Sequence, residues 1–164
     1  MKKGIFTFCC VILFSASFAQ KFQLAELIKL IPMSSDDFDT YVTRKGYHFK
    51  ENHKEDLSNG ITYSFDGKIC MEQYILTKYN FLNGEVSITY HTIDKEDYLT
   101  IKKQLKSLGF QLKEEKNEDD SVWFIYKNKS MTLALISSEA YTTTAQSLSR
   151  GSYEISLSKY PSQK

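Results

Sequence analysis

Cysteine, glycine and patterned histidine are what this sequence has least of, and each shortage removes a class of function. Three cysteines occur in 164 residues. Cys9 and Cys10 fall inside an N-terminal apolar run, so a chain that loses this run keeps only Cys70 and cannot close an internal disulfide. Its stability has to come from a core. Cys70 sits in a strand-like run, Ile69-Cys70-Met71, with no neighbouring sign of thiol activation, and reads as a small buried hydrophobe. The seven glycines go mostly to turns and helix ends, which leaves no phosphate-cradling loop. His48, His53 and His91 show no His-x-His, His-x-x-x-His or His-Glu-x-x-His spacing, so no metal centre is expected. There is no Gly-x-Ser-x-Gly, and no Ser-x-x-Lys with its partner motifs. No catalytic residue and no cofactor is assigned.

Charge of one sign is also lacking over most of the chain. At the N-terminus it is concentrated: Lys2 and Lys3 precede an apolar run from Ile5 to Phe14, with small Ser17 and Ala19 after it, the three parts of a cleavable export signal over residues 1–19. A membrane anchor is the alternative, but the uncharged run from Gly4 to Gln20 is short of the roughly 20 residues needed to span a bilayer. A lipoprotein would carry its cysteine at the end of the apolar run, after small residues, whereas Cys9 and Cys10 lie within it. The expected destination is a bacterial periplasm or the extracellular space. The Asn128-Lys129-Ser130 sequon would matter only in a eukaryotic secretory pathway. Without Lys2 and Lys3 the basic residues fall from 21 to 19 against 20 acids. A net charge of −1 attracts neither nucleic acid nor anionic membrane.

What the sequence has in abundance is aromatic residues, 11 Phe and 11 Tyr, and an internal echo. Lys45-Gly46-Tyr47-His48-Phe49-Lys50 returns 63 residues later as Leu108-Gly109-Phe110-Gln111-Leu112-Lys113, each after an amphipathic helical stretch. Leu24, Leu27, Ile28 and Ile31 predict a short lead-in helix stopped by Pro32. Ser34 or Ser35 caps a second, with Phe38, Tyr41, Val42 and Lys45 on one face and Gly46 at its end. Strands are predicted over Tyr47–Glu51, Ile61–Phe65, Lys68–Tyr79 and Glu85–Thr92, with Asn59-Gly60, Asp66-Gly67 and Asn83-Gly84 at the joints. Asp94 then caps a third helix, with Tyr98, Ile101, Leu105 and Leu108 on one face and Gly109 after it. Strands follow over Phe110–Lys116, Val122–Lys127, Met131–Ile136 and Tyr153–Lys159. Ile61, Tyr63 and Phe65 align with Val122, Phe124 and Tyr126 at an offset of 61. Two connections stand out: the acidic hairpin tip Glu114–Asp120, which lacks the spacing of a calcium loop, and Ser137–Ser152, half of it Ser or Thr.

The expected fold is α+β: two tandem helix-plus-meander units, 20–93 and 94–164, each a helix on one face of a four-stranded antiparallel sheet. In element order this resembles the tandem fold of the secreted beta-lactamase inhibitor proteins, and the small outer-membrane assembly lipoproteins with half of that design. Small secreted lysozyme inhibitors are similar in size and destination. The resemblance rests on no sequence motif and carries over no functional residue.

Function is therefore sought in surface shape. Period two turns Thr62 and Ser64 outward in the first unit and Trp123 and Ile125 outward in the second. Ile136, Tyr160 and Tyr141 extend this to a candidate binding patch of Trp123, Ile125, Ile136, Tyr141 and Tyr160, since Trp and Tyr anchor protein interfaces. A one-residue slip of register would instead bury Trp123. The leading expectation is an exported, non-enzymatic binding protein whose partner is another protein or an envelope component. An apolar-ligand carrier with a cavity lined by Tyr41, Tyr63, Phe65, Tyr90 and Phe124 is the second reading. A hydrolase of envelope polymers using scattered acids with His48 or His91 is the third. Oligomeric state is left open.

Overall fold

A computed structural model describes residues 21–66, 72–118, 120–138 and 151–161. The predicted signal segment, Cys70, Asp66-Gly67 as a turn, and Tyr141 with the middle of the Ser/Thr-rich stretch lie outside the described residues. Three helices, α1 (Leu24–Leu30), α2 (Ser35–Arg44) and α3 (Lys95–Gln104), accompany eight strands. The strands are β1 (His48–Glu55), β2 (Ser58–Asp66), β3 (Glu72–Phe81), β4 (Val86–Thr92), β5 (Gln111–Glu118), β6 (Ser121–Lys127), β7 (Met131–Ser138) and β8 (Ser152–Lys159). All eight form one antiparallel sheet in the order β1-β2-β3-β4-β8-β7-β6-β5. The protein is thus mixed α/β and mostly sheet, and no described helix is long and apolar enough to cross a membrane.

Local chemistry sets the helix ends. The Ser34 hydroxyl accepts from the Asp37 N–H at 3.1 Å, and the Asp94 carboxylate accepts from the Glu96 N–H at 2.9 Å, each satisfying a donor that the first helical turn leaves open. Gly46 and Gly109, at φ +90° and +76°, reverse the chain where an L side chain would be strained. The third helix is shorter than its apolar spacing predicts. Past Gln104 the backbone tightens to bonds three residues apart, Leu105 N to Lys102 O and Gly109 N to Lys106 O, while Leu105 stays buried. The end of α1 needs help from elsewhere, because Pro32 stops it and has no N–H to return; of the last carbonyls, Leu30 O accepts from the Met33 N–H at 3.3 Å. Lys78 of β3 sends its ammonium to the oxygens of Leu30, Ile31 and Met33 at 3.1, 3.3 and 2.5 Å.

Side-chain alternation gives the sheet two unlike faces. Tyr63, Leu76, Tyr90, Ile155, Leu135 and Phe124 form one row across six strands, and all pack in the core. The helices cover this face: Phe38 meets Tyr63 edge-on at 5.6 Å, Tyr98 meets Tyr153 at 4.9 Å, and the Lys102 ammonium sits 3.9 Å from the Phe124 ring centre. Phe22, ahead of α1, inserts between Tyr47 and Tyr90. Burying such rings contributes on the order of 2 to 3 kcal/mol each.

Several expectations change at the sheet edges. The first hairpin does not open into a loop at Asn52: β1 continues to Glu55, β2 begins at Ser58, and the turn is Asp56-Leu57. Gly60 is therefore mid-strand, and His53 belongs to β1. The acidic run from Glu114 is likewise mostly strand, since β5 reaches Glu118 and the chain reverses next to Asp120, at φ 58°. An edge strand buries only one flank, so charge is tolerated there and discourages edge-to-edge association. Ser137, Ser138 and Ser152 are strand residues as well. The alignment offset also changes. The β1–β2 ladder pairs Phe49 with Tyr63, skips Lys50, and pairs Glu51 with Thr62; the β5–β6 ladder pairs Leu112 with Tyr126, skips Lys113, and pairs Glu114 with Ile125. Both ladders keep 63 throughout, so Trp123 corresponds to Gly60 and Ile125 to Thr62.

Candidate functional site

Opposite the helices the sheet carries a second set of rows. The central one runs Ser64, Ile75, His91, Glu154, Ile136, Trp123 and Lys116 from β2 to β5. Beside it lies Glu51, Thr62, Thr77, Thr89, Ser156, Ala134, Ile125 and Glu114. Trp123, Ile125 and Ile136 are brought together here: Trp123 faces Ile136 across the β6–β7 ladder, and Ile125 is two residues along the same strand. Ile136 is 8% exposed, whereas Trp123 and Ile125 are half-buried. The register that would turn Trp123 into the core is not the one adopted, because Phe124 and Tyr126 take the helix side.

Tyr160 does not join them. It follows β8, six residues beyond Glu154, roughly 20 Å along the strand direction. There it is exposed and lines a hollow of about 340 Å³ at the β6–β7 turn with Lys127, Lys129 and Lys159.

The polar groups of this face give it a sign. Outside the two bulges its ladders carry Glu51, Glu55, Glu114, Glu118 and Glu154 against Lys116 and Lys127. Lys116 is already engaged, 2.5 Å from Glu118 and 4.8 Å above the Trp123 ring. Burial, and then the charges of Glu55, Glu154 and Glu51, push the Tyr79 hydroxyl pKa up. Glu154 is half-buried at the middle of the sheet, with no hydrogen bond or ion pair among the described residues, and burial alone raises its pKa. Sequence reasoning passed over this residue. The alternation Tyr153-Glu154-Ile155 is enough to turn it outward, but nothing local says that β8 lies at the centre.

The histidines fall into separate surroundings. His48 is exposed near the β1 edge. His53 Nε2 is 2.9 Å from the Thr62 hydroxyl and 3.6 Å from Glu51, and His91 lies between Ile75 and Glu154. No three of His, Cys, Asp and Glu come close enough to hold a metal among the described residues.

The five residues of the carrier reading are spread through the packed layer. Tyr63 and Tyr90 lie against Phe38 and Tyr74, Phe65 against Tyr47, and Phe124 under Lys102. Tyr41 stands at the rim, where it donates to Glu26 at 2.9 Å. Burial, followed by that carboxylate, pushes its hydroxyl pKa up to about 12.

No family model, no curated protein and no solved structure matches this chain.

Proposed function

We propose that this is an exported, non-enzymatic binding protein that uses the sheet face opposite its helices to hold another protein or an envelope component. The observation that supports the reading is the convergence of Trp123, Ile125 and Ile136 on that face. A tryptophan left half-covered by its own chain is costly to keep in water and is the commonest anchor of a protein interface. Size agrees. Seven inter-strand spacings of about 4.8 Å and central strands of about 25 Å give roughly 800 Å² of sheet plane, the share one partner contributes to a standard interface. Both edges are charged and bulged, which argues for contact through the face and not by strand addition.

The finer architectural reading belongs with this proposal. Two ladders with the same bulge at a constant offset, and strands ordered inward from both edges, support a duplicated unit of the kind the secreted inhibitor proteins display. The functional reading does not depend on it.

The test is affinity capture from the source organism's envelope fraction with the mature protein, with Trp123→Ala and with Lys106→Ala on the helix side. A band retained by the wild type and the lysine variant but lost with Trp123→Ala supports the reading. Equal capture by all three, or none by any, defeats it.

A further inference from the structure

The feature of the open face that its apolar patch does not explain is Glu154. A carboxylate half-removed from water and given no donor among the described residues is unfavourable to keep, and this one, on β8, lies two strands from Trp123 of β6, across Ile136 of β7. Outside the two bulges acids outnumber bases on this face, Glu51 and Glu55 on β1 and Glu114 and Glu118 on β5 against Lys116 and Lys127. The indole surface already accommodates one cation, the Lys116 ammonium. Trp123 and Glu154 are two strand spacings apart, about 10 Å, so a group resting on Ile136 reaches both.

We propose that the open face receives a lysine or arginine side chain of a protein partner, laid over Ile136 between the Trp123 indole and the Glu154 carboxylate. This rests on the open face being the binding surface and names the chemistry it selects. The cation is organic and not metallic, because no three metal-ligating side chains cluster among the described residues. It belongs to a peptide and not to a free amine, because Ile136 and Ala134 on β7, Ile125 one strand further and Ile75 beyond His91 on the other side offer carbon that a flanking apolar chain would cover. An acidic field speeds the encounter with such a partner, and the central pair of opposite charges fixes its register. A guanidinium suits the place best, since it stacks on an aromatic face and grips a carboxylate with two N–H groups.

The probes are three capped nonapeptides of leucine and glycine whose central residue is arginine, citrulline or glutamate, titrated against the mature protein by Trp123 fluorescence and by amide and indole NMR shifts. The arginine peptide is expected to bind with shifts confined to β6, β7 and β8. The citrulline peptide should bind about tenfold more weakly and the glutamate peptide not at all. Glu154→Gln should remove the preference for arginine over citrulline, while Glu85→Gln, away from the row, keeps it. Near-ultraviolet circular dichroism checks that each variant is folded. Equal affinity for arginine and citrulline, an unchanged preference in Glu154→Gln, or no binding of the arginine peptide at about 1 mM overturns the inference. If citrulline peptide or a chito-oligosaccharide binds in a Trp123-dependent but Glu154-independent way, the surface stands and the cation falls. If arginine-peptide binding survives Trp123→Ala with its shifts elsewhere, both fall.

Discussion

Gly60 on β2 lies beneath the ring of Tyr79 on β3, so close that a Cβ added to the glycine would stand 2.6 Å from the tyrosine Cε1. The two are directly paired across the ladder, and the ring fills the place where a side chain at 60 would stand. This is why a glycine sits in mid-strand, where its backbone freedom is otherwise a cost. Gly60→Ala is expected to destabilise the fold by about 1 to 3 kcal/mol. Tyr79→Ala should relieve most of that in the double variant. Urea midpoints for the two single variants and the double close the cycle, and simple additivity would contradict the contact.

Lys78 is 2% exposed and holds the carbonyls at the end of α1. Burial lowers its pKa, while three carbonyl acceptors favour the ammonium. Lys78→Met keeps an unbranched side chain and deletes the ammonium, which lies 5.3 Å from the Phe38 ring centre, and with it the donors to the oxygens of Ile31 and Met33. A loss of about 2 to 4 kcal/mol is expected. Faster amide exchange in residues 24–33 than in β7 would locate it.

Glu26 and Glu154 should respond to pH with opposite sign. Burial alone would raise the Glu26 pKa, but the Gln23 N–H, the Lys45 ammonium and the Tyr41 hydroxyl, each at 2.9 Å, outweigh it and hold it below its ordinary value. Its stabilisation is therefore present above about pH 4.5 and lost as pH falls through the folded value. Glu154 is raised by burial, so its ionisation above that pH costs stability. Glu26→Gln should lower Tm at pH 7 and Glu154→Gln should raise it. Both differences should shrink toward roughly pH 3, as scanning calorimetry from pH 3 to 7 would show. Shifts of the same sign at pH 7 would contradict the assignment.

Leu135 and Ile136 are consecutive on β7 and face opposite sides of the sheet. Truncating the core side should cost more than truncating the open side. Leu135→Ala is expected to lose about 3 kcal/mol, Trp123→Ala about 1 kcal/mol. Trp123, the single tryptophan, should also emit as a partly exposed indole and be quenched by acrylamide. Blue-shifted, quencher-resistant emission would place it elsewhere.

Legibility followed the range of the interaction. Ser34, Asp94, Gly46 and Gly109 could be read as helix ends because caps and positive φ involve a few consecutive residues. The sequence shows less of β1 than its full length because His48–Glu55 carries almost no apolar alternation. It is a strand only by virtue of its pairing with β2, and a polar edge strand leaves no mark of its own. The 61-residue offset failed for the same reason: two apolar runs slide past each other easily on paper, whereas paired bulges after Phe49 and Leu112 fix them at 63.

The candidate surface divides in the same manner. Alternation within β6 put Trp123 and Phe124 on opposite sides but, with apolar residues on both, did not say which side the helices cover.

The sequence by itself determined the mixed composition of helix and strand, the caps and the turn at Gly84, all of which follow from neighbours in the chain. Only the tertiary structure decided that β4 and β8 meet at the centre of one sheet, that Glu154 lies beside His91 and Ile136, and that Tyr160 stands apart from Trp123. Those facts depend on which distant strands share hydrogen bonds, and backbone N–H and C=O groups are the same in every residue that carries both, so side-chain pattern alone does not label a strand's partner.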